Sequence, residues 1–241
     1  MEDWRERTEL QVGKEGVLKL ENACVAIIGL GGVGAFAAEM LCRAGVGSFI
    51  LADSDIIEVT NKNRQLPALD STIGKVKTEV IAARMRDINK DVKVNVISAY
   101  LEQENIADKL KLFDKVDFVI DAIDTLSPKI ALIQYCLQNK IPMVSSMGAG
   151  AKYDATKVRI AEIEKSFNCP LAYMLRKRLH KVGIRKGFRV VFSEEIPVKE
   201  AIVPCEGRNK KSRTGTISYM PAVFGCVCAQ AAVEHILSVD V

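Results

Sequence analysis

An α/β architecture, a doubly wound and mostly parallel sheet closed by an antiparallel C-terminal extension, follows from three observations. Short apolar runs that end in glycine or aspartate alternate with segments of helical spacing through about residue 147. About half of the residues are hydrophobic and only 6% are aromatic, the aliphatic bias of a sheet buried on both faces. After Gly150 the rhythm changes to strictly alternating segments. The first of these patterns is Rossmann-like, because each strand must return through a right-handed helical crossover.

The elements are read in chain order. Val25-Ala-Ile-Ile28 ends in glycines and is a buried strand. Ala35 to Arg43 carries small and apolar residues at helical spacing and stops at Gly45. Phe49-Ile-Leu-Ala52 is the second strand, and residues 53–72 form a long polar connection. Lys75 to Ile88 presents Val76, Val80, Ala83 and Ile88 on one helical face, and Val92 to Ile97 alternates as a strand. Phe118-Val-Ile120 runs into Asp121-Ala-Ile-Asp124, and Ser127-Pro128 opens a helix, since proline suits a first turn. Met143-Val-Ser-Ser146 is a fifth strand. Val158 to Ile163 and Phe188 to Phe192 are the antiparallel pair, with a basic helix, Pro170 to His180, between them. Pro221 to Leu237 is a final helix. Two segments result: 1–150, a nucleotide-binding unit, and 151–241, a basic substrate-binding extension belonging to the same compact body.

Seven scattered cysteines do not form a disulfide framework and imply a reducing, cytoplasmic compartment. The first residues, Met1 to Lys14, are charged and polar, unlike a signal peptide. The uncharged stretch from Thr214 to Ala232 is broken by Ser218, Pro221 and Gln230, so no stable membrane span is expected. Charge is unevenly placed. Lys165 to Arg213 holds 13 Lys and Arg against 4 Glu, a net of +9 in a chain whose total is +4. A basic segment beside a net acidic remainder points to a large anionic partner. Arg176, Lys177, Arg178 and Lys181 share one predicted helix, and Arg208, Lys210, Lys211 and Arg213 cluster in a predicted flexible loop.

Chemistry concentrates in the first segment. Gly29-Leu-Gly31-Gly32-Val-Gly34 links a strand to a helix, so backbone N–H groups can approach a phosphate at the positive end of the helix dipole. Asp53 ends the second strand 19 residues past Gly34, where a carboxylate accepts ribose hydroxyls. Those features alone also suit NAD. Asn61-Lys-Asn-Arg64-Gln65 and Lys77 add cations that a triphosphate requires and a dinucleotide pyrophosphate does not. Asp124, just past a strand's carboxyl end, is placed to hold Mg²⁺ against phosphates. The nucleotide predicted is therefore ATP.

The run GLGGVG, LADSD, TNKNRQ, GKVK and DAIDT resembles the ubiquitin-activating enzyme superfamily in its bacterial ThiF- and MoeB-like form, over about Trp4 to Met147. That resemblance implies that Asp53 binds ribose, that Asn61, Arg64 and Lys77 bind phosphates, and that Asp124 holds Mg²⁺. It implies a homodimer in which an N-terminal arginine, Arg7 or else Arg5, reaches the partner subunit's triphosphate. Members that adenylate sulfur-carrier proteins have two CxxC zinc pairs. This sequence has only Cys226-x-Cys228 with isolated Cys169 and Cys205, which makes a zinc site unexpected. NKNRQLPAL, DAIDTLSPKIALI, NCPLAYMLRKRLHK and GTISYMPAVFG instead look like the tRNA threonylcarbamoyladenosine dehydratases, to about residue 225.

By resemblance, then, the chain is an adenylate-forming, ligase-type enzyme using ATP and Mg²⁺. It would activate the carboxylate of a threonylcarbamoyl-modified adenosine in tRNA and close it to a ring with loss of water. Intramolecular attack has a high effective molarity, so an enzyme nucleophile is unnecessary. An acyl-cysteine route through Cys169 or Cys205 is the less favoured variant. The alternative enzyme is an adenylyltransferase for the C-terminal glycine of a sulfur-carrier protein. A non-catalytic tRNA-binding scaffold and an NAD-dependent dehydrogenase are the other classes. A sulfur-relay protein is a further expected partner.

Overall fold

In the computed structural model, which describes residues 4–101, 104–111, 116–207 and 210–238, the apolar runs become the buried strands of one sheet. Helix α1 (Glu6–Glu21) leads into β1 (Cys24–Ile28), whose small and branched residues are almost wholly buried. Helix α2 (Gly34–Ala44) follows the glycine loop and ends at Gly45, and β2 (Ser48–Ala52) lies parallel to β1. After the long connection come α3 (Lys77–Ile88) and β3 (Lys93–Ile97). Next are α4 (Ile106–Lys111), β4 (Phe118–Asp121), α5 (Leu126–Gln138) and β5 (Met143–Ser146). The second part contains β6 (Val158–Glu162), α6 (Pro170–Lys181) and β7 (Arg189–Ser193). A hairpin, β8 (Ile202–Gly207) and β9 (Lys210–Thr214), precedes α7 (Tyr219–Leu237).

Among the described residues the main sheet has seven strands in the order β3-β2-β1-β4-β5-β7-β6. All neighbours are parallel except β6 and β7, which pair antiparallel from Val158 opposite Ser193 to Glu162 opposite Arg189. The chain winds outward from β1 in one direction and from β4 in the other. The reversal between them opens a crevice beyond the carboxyl ends of β1 and β4, the usual ligand rim of such sheets. The antiparallel extension thus completes the same sheet that binds the crevice.

Two apolar clusters cover the two faces. One gathers α2, α3 and α7 around Leu41, Phe49, Ile120 and Phe224; the other gathers α5 and α6 around Ile50, Leu132, Leu175 and Phe192. Helix α7 crosses α2 so closely that a Cβ on Gly225 would lie 2.4 Å from the Val33 carbonyl oxygen. Its Pro221 packs against Gly32, where a Cβ would come within 2.9 Å of the proline ring. α7 is long and apolar enough to cross a membrane by length and composition, but Met220, Phe224, Cys228 and Ala232 are spent on this core.

The structure departs from expectation at three places. The predicted flexible loop is a hairpin: Lys210–Thr214 pairs as β9 with β8, from Ile202 opposite Thr214 to Gly207 opposite Lys210. Helices α1 and α4 have no counterpart in the sequence reading. Arg208, and the side chains of Cys205, Lys210 and Lys211, lie outside the described residues.

Candidate active site

The glycine loop is shaped by contacts that exclude side chains at some positions and leave room at another. A Cβ on Gly34 would stand 1.8 Å from the Gly29 carbonyl oxygen, so the tight turn into α2 requires glycine there. Gly29 itself packs against the Ala122 backbone, binding the loop to the end of β4. At Gly31 the nearest atom is Gln65 Nε2, 3.7 Å from a would-be Cβ, which is ordinary contact. The protein's own packing does not demand glycine at Gly31. The space in front of it suits a close-approaching ligand at the N-terminus of α2.

Asp53 closes the other side. Its Oδ2 accepts the Leu30 N–H at 2.6 Å and its Oδ1 accepts the Asp55 N–H at 2.8 Å, so the acid also holds the glycine loop in place. Burial pushes its carboxyl up from the ordinary aspartate value, against the opposing pull of Lys77 and the two amides. Lys77 is almost wholly buried, with Nζ 2.8 Å from Asp55 and 4.0 Å from Asp53. Asp55, which sequence reasoning passed over, therefore fixes the ammonium of a proposed phosphate ligand.

The Asn61–Gln65 turn supplies the next groups. Asn61 is buried, and its side-chain oxygen accepts the Glu58 N–H at 3.0 Å, which caps the turn. Arg64 is half-buried and donates from Nη1 to the Thr60 carbonyl at 3.1 Å and to Asn63 Oδ1 at 2.8 Å. Gln65 is buried beside Gly31, and its Oε1 has no hydrogen-bond partner among the described residues. An orphaned buried carbonyl costs about 1–3 kcal/mol, so a donor is expected there when the crevice is filled.

Asp124 is exposed beyond the end of β4, just ahead of α5. Beneath it lies a buried network absent from the sequence reading. Lys129 Nζ donates to Asp121 Oδ2 at 2.8 Å, to Ser145 Oγ at 3.0 Å and to the Ser146 carbonyl at 3.0 Å. Ser145 Oγ donates to the same Asp121 oxygen at 2.6 Å. The only sequence signal was a lysine standing among apolar residues at the start of α5. A second buried lysine, Lys152, donates to the Gly148 carbonyl at 2.7 Å and lies over the Phe224 ring; burial lowers its pKa below the ordinary lysine value.

The structure brings Gly29, Gly31, Gly32, Gly34, Asp53, Asn61, Arg64, Gln65, Lys77 and Asp124 to the crevice side of the sheet. It does not bring Arg7 there within one chain. Arg7 is exposed on α1, whose end meets Gly47 and whose neighbour Arg5 sits against Gly45 and pairs with Glu21, at the amino-terminal ends of the strands. On α6, Lys177, Arg178 and Lys181 are exposed, whereas Arg176 turns inward and donates to the Ser166 carbonyl at 2.7 Å. Arg213 is exposed on β9. Cys169 is buried at the start of α6, a poor position for a nucleophile.

This arrangement has relatives. A sequence model of the ThiF family matches residues 6–240. A Bacillus subtilis protein named tRNA threonylcarbamoyladenosine dehydratase is 41% identical over 240 residues, covering 96% of this chain and 93% of its own. An Escherichia coli protein of the same name is 36% identical over 256 residues, covering 98% and 95%. The crystal structure of E. coli tRNA N6-threonylcarbamoyladenosine dehydratase, TcdA, in complex with ATP superposes with a TM-score of 0.88 at 35% identity, covering 98% of this chain and 95% of that one. Its complex with AMP matches with the same TM-score, covering 98% and 96%.

Proposed function

The chain belongs to the ThiF family, and on that premise we propose that it is an ATP-dependent dehydratase acting on threonylcarbamoyladenosine in tRNA. The observation that carries this reading is near-full-length likeness to dehydratases whose solved structures hold ATP and AMP, over a crevice built for a nucleotide. An adenylating enzyme consumes the first and releases the second. The alternative, activation of a sulfur-carrier protein, has less support, because the exposed cations of α6 suit a polyanion better than a protein tail.

In the proposed mechanism the nucleotide's phosphates lie over the glycine loop, with Asp53 on the ribose and Arg64 and Lys77 on the phosphate oxygens. The threonine carboxylate attacks the α-phosphorus, the bond to the β-phosphate oxygen breaks, and pyrophosphate leaves. Arg64 and Lys77 stabilise charge that develops on the transferred group. Asp124 fits the need for one exposed carboxylate beside phosphates, and the Mg²⁺ it would hold supplies further charge neutralisation. A group within the same modification then attacks the acyl-adenylate carbonyl. A five-membered ring closes, AMP leaves, and the net change on the nucleoside is loss of one water.

Several features extend this reading. Residues 1–150 act as the nucleotide unit and 151–241 as the substrate extension. Lys177, Arg178, Lys181 and Arg213 contact tRNA phosphates, with Arg208, Lys210 and Lys211 assigned from sequence alone. Arg176 contributes through its contact with Ser166. The enzyme works in the cytoplasm as a homodimer, with Arg7 reaching across to the partner's nucleotide, and a sulfur-relay protein is an additional partner. Light scattering at micromolar concentration should give twice the chain mass; an active monomer refutes the dimer.

The central test is incubation with ATP, Mg²⁺ and unfractionated tRNA carrying threonylcarbamoyladenosine, with nucleoside mass analysis. AMP and pyrophosphate should form only with tRNA, and the modified nucleoside should lose the mass of one water. Asp124→Ala should lower turnover by about two orders of magnitude or more with the fold intact. Release of ADP and phosphate instead would sink the assignment.

A further inference from the structure

Among the described residues the β8–β9 hairpin is a sheet of its own, hydrogen-bonded to no strand of the main sheet. Two-stranded sheets are marginal in isolation, so this one takes its position from what holds its base. Gly215 N–H donates to the Ala201 carbonyl at 2.7 Å, closing the base, and the Gly215 carbonyl accepts the Ala151 N–H at 2.8 Å. The next residue, Thr216, makes a different kind of link. Its carbonyl accepts the side-chain N–H of Asn63 at 3.0 Å, across 153 positions of sequence.

Asn63 is thereby engaged at both ends, since its Oδ1 accepts the Arg64 Nη1 proton at 2.8 Å. The orientation of this amide is forced. A guanidinium can only donate and a carbonyl oxygen can only accept, so the oxygen must face Arg64 and the nitrogen Thr216. A continuous chain of polar contacts results: hairpin base, Asn63 amide, Arg64 guanidinium. Arg64 is the proposed phosphate ligand, and β9 presents the exposed Arg213 for the proposed RNA.

We propose that Asn63 is a positioning residue that couples the β8–β9 hairpin to Arg64, so that tRNA seated on the hairpin tightens the grip on ATP. The inference rests on the tRNA reading above. RNA phosphates on β9 order the hairpin and hold the Thr216 carbonyl. That carbonyl holds the Asn63 amide, and the amide aims the Arg64 guanidinium. Nucleotide affinity then depends on substrate, and ATP is held tightly only when there is a carboxylate for it to adenylate. Coupling must be reciprocal: whatever factor tRNA confers on ATP binding, ATP confers on tRNA binding.

Asn63→Asp separates the two links. A carboxylate still accepts from Arg64 but has no proton to donate to the Thr216 carbonyl. The full-length protein is titrated with an α,β-methylene analogue of ATP, with and without tRNA carrying threonylcarbamoyladenosine, and in reverse. In the parent protein each ligand should tighten the other by about fivefold or more. Asn63→Asp should bind the analogue alone more weakly, because its new negative charge pairs with Arg64 beside the phosphates, but its coupling factor should fall to one. Asn63→Ala, which loses both links, should bind the analogue alone more weakly and also show no coupling. A parent-like coupling factor in Asn63→Asp overturns the relay. So does a parent protein that binds tRNA with no change in analogue affinity, and that result leaves the proposed function standing. Failure of the parent to bind tRNA at all overturns the function and the relay together.

Discussion

Asp53 keeps its carboxylate between the Leu30 amide at 2.6 Å and the Asp55 amide at 2.8 Å, with the Lys77 ammonium 4.0 Å away. Burial still wins and raises its pKa from 3.8. Between that ordinary value and the raised one, the folded protein holds a proton that the unfolded chain has released. Ionising Asp53 therefore costs stability as pH rises through this window, and the cost is fully present above it. The same proton blocks a ribose acceptor. Binding of adenosine, which has no titrating phosphate, should weaken on acidification with a midpoint above 3.8, and Asp53→Asn should abolish that limb. A pH-independent affinity down to the ordinary aspartate value would contradict the ribose role. At this scale a residue's type and place marked out Asp53, Arg64, Lys77 and Asp124, which the structure brings to one side of the sheet. It was silent on Asp55 and Asn63, whose importance lies in partners distant along the chain. It could not show that Arg176 bends back to Ser166, because a surface cation and a tethered one look alike in sequence.

The β4–α5 corner shows how an element presents a residue. Asp121 receives Lys129 and Ser145 on one oxygen and the Ile123 N–H on the other, so the turn carrying Asp124 is anchored from below. Lys129 and Asp121 are completely buried. Removing one member of such a pair leaves a charge without compensation, at about 3–5 kcal/mol. Lys129→Met should lose about that much stability by urea denaturation, and adding Asp121→Leu should recover most of it. A loss below about 1 kcal/mol for Lys129→Met would show that the pair is not what holds the corner. Strands β1, β2 and β4 were legible because a strand buried on both faces is largely apolar. The hairpin was not: Pro204 interrupts β8, and Lys-Lys-Ser-Arg-Thr along β9 has no apolar alternation. Helix α1 escaped because it is largely exposed and bends at Gly13, where φ is 73°.

Along the chain, residues 165–213 carry a net charge of +9 against a total of +4, so the basic charge is concentrated in the extension. Long-range fields of this kind speed the encounter of a polyanion and make its binding salt-sensitive. Each phosphate contact contributes about 0.7–0.9 to the log–log salt slope. Neutralising Lys177, Arg178 and Lys181 together should flatten the slope for tRNA by about two to three units in a filter-binding titration. Affinity for ATP should hardly change, because Arg64 and Lys77 are untouched. An unaltered slope would mean that these cations only solvate the surface. The parallel order of the sheet and its reversal next to β1 were predictable from the alternation of patterns. The way β7 returns beside β5, with β6 antiparallel outside it, was not, since pairing partners leave no trace in a single strand's pattern.

The contact of α7 with the glycine loop has a consequence for the order of assembly. The ribosome releases the proposed phosphate-binding residues, between Gly29 and Asp124, well before α7. Yet Pro221 lies against Gly32 and Gly225 against Val33, so the loop leans on a helix made long after it. A nascent chain that already displays every phosphate ligand still lacks the wall behind its loop. Nucleotide capture should therefore wait for α7, and a product truncated before α7 should have little means to sequester ATP.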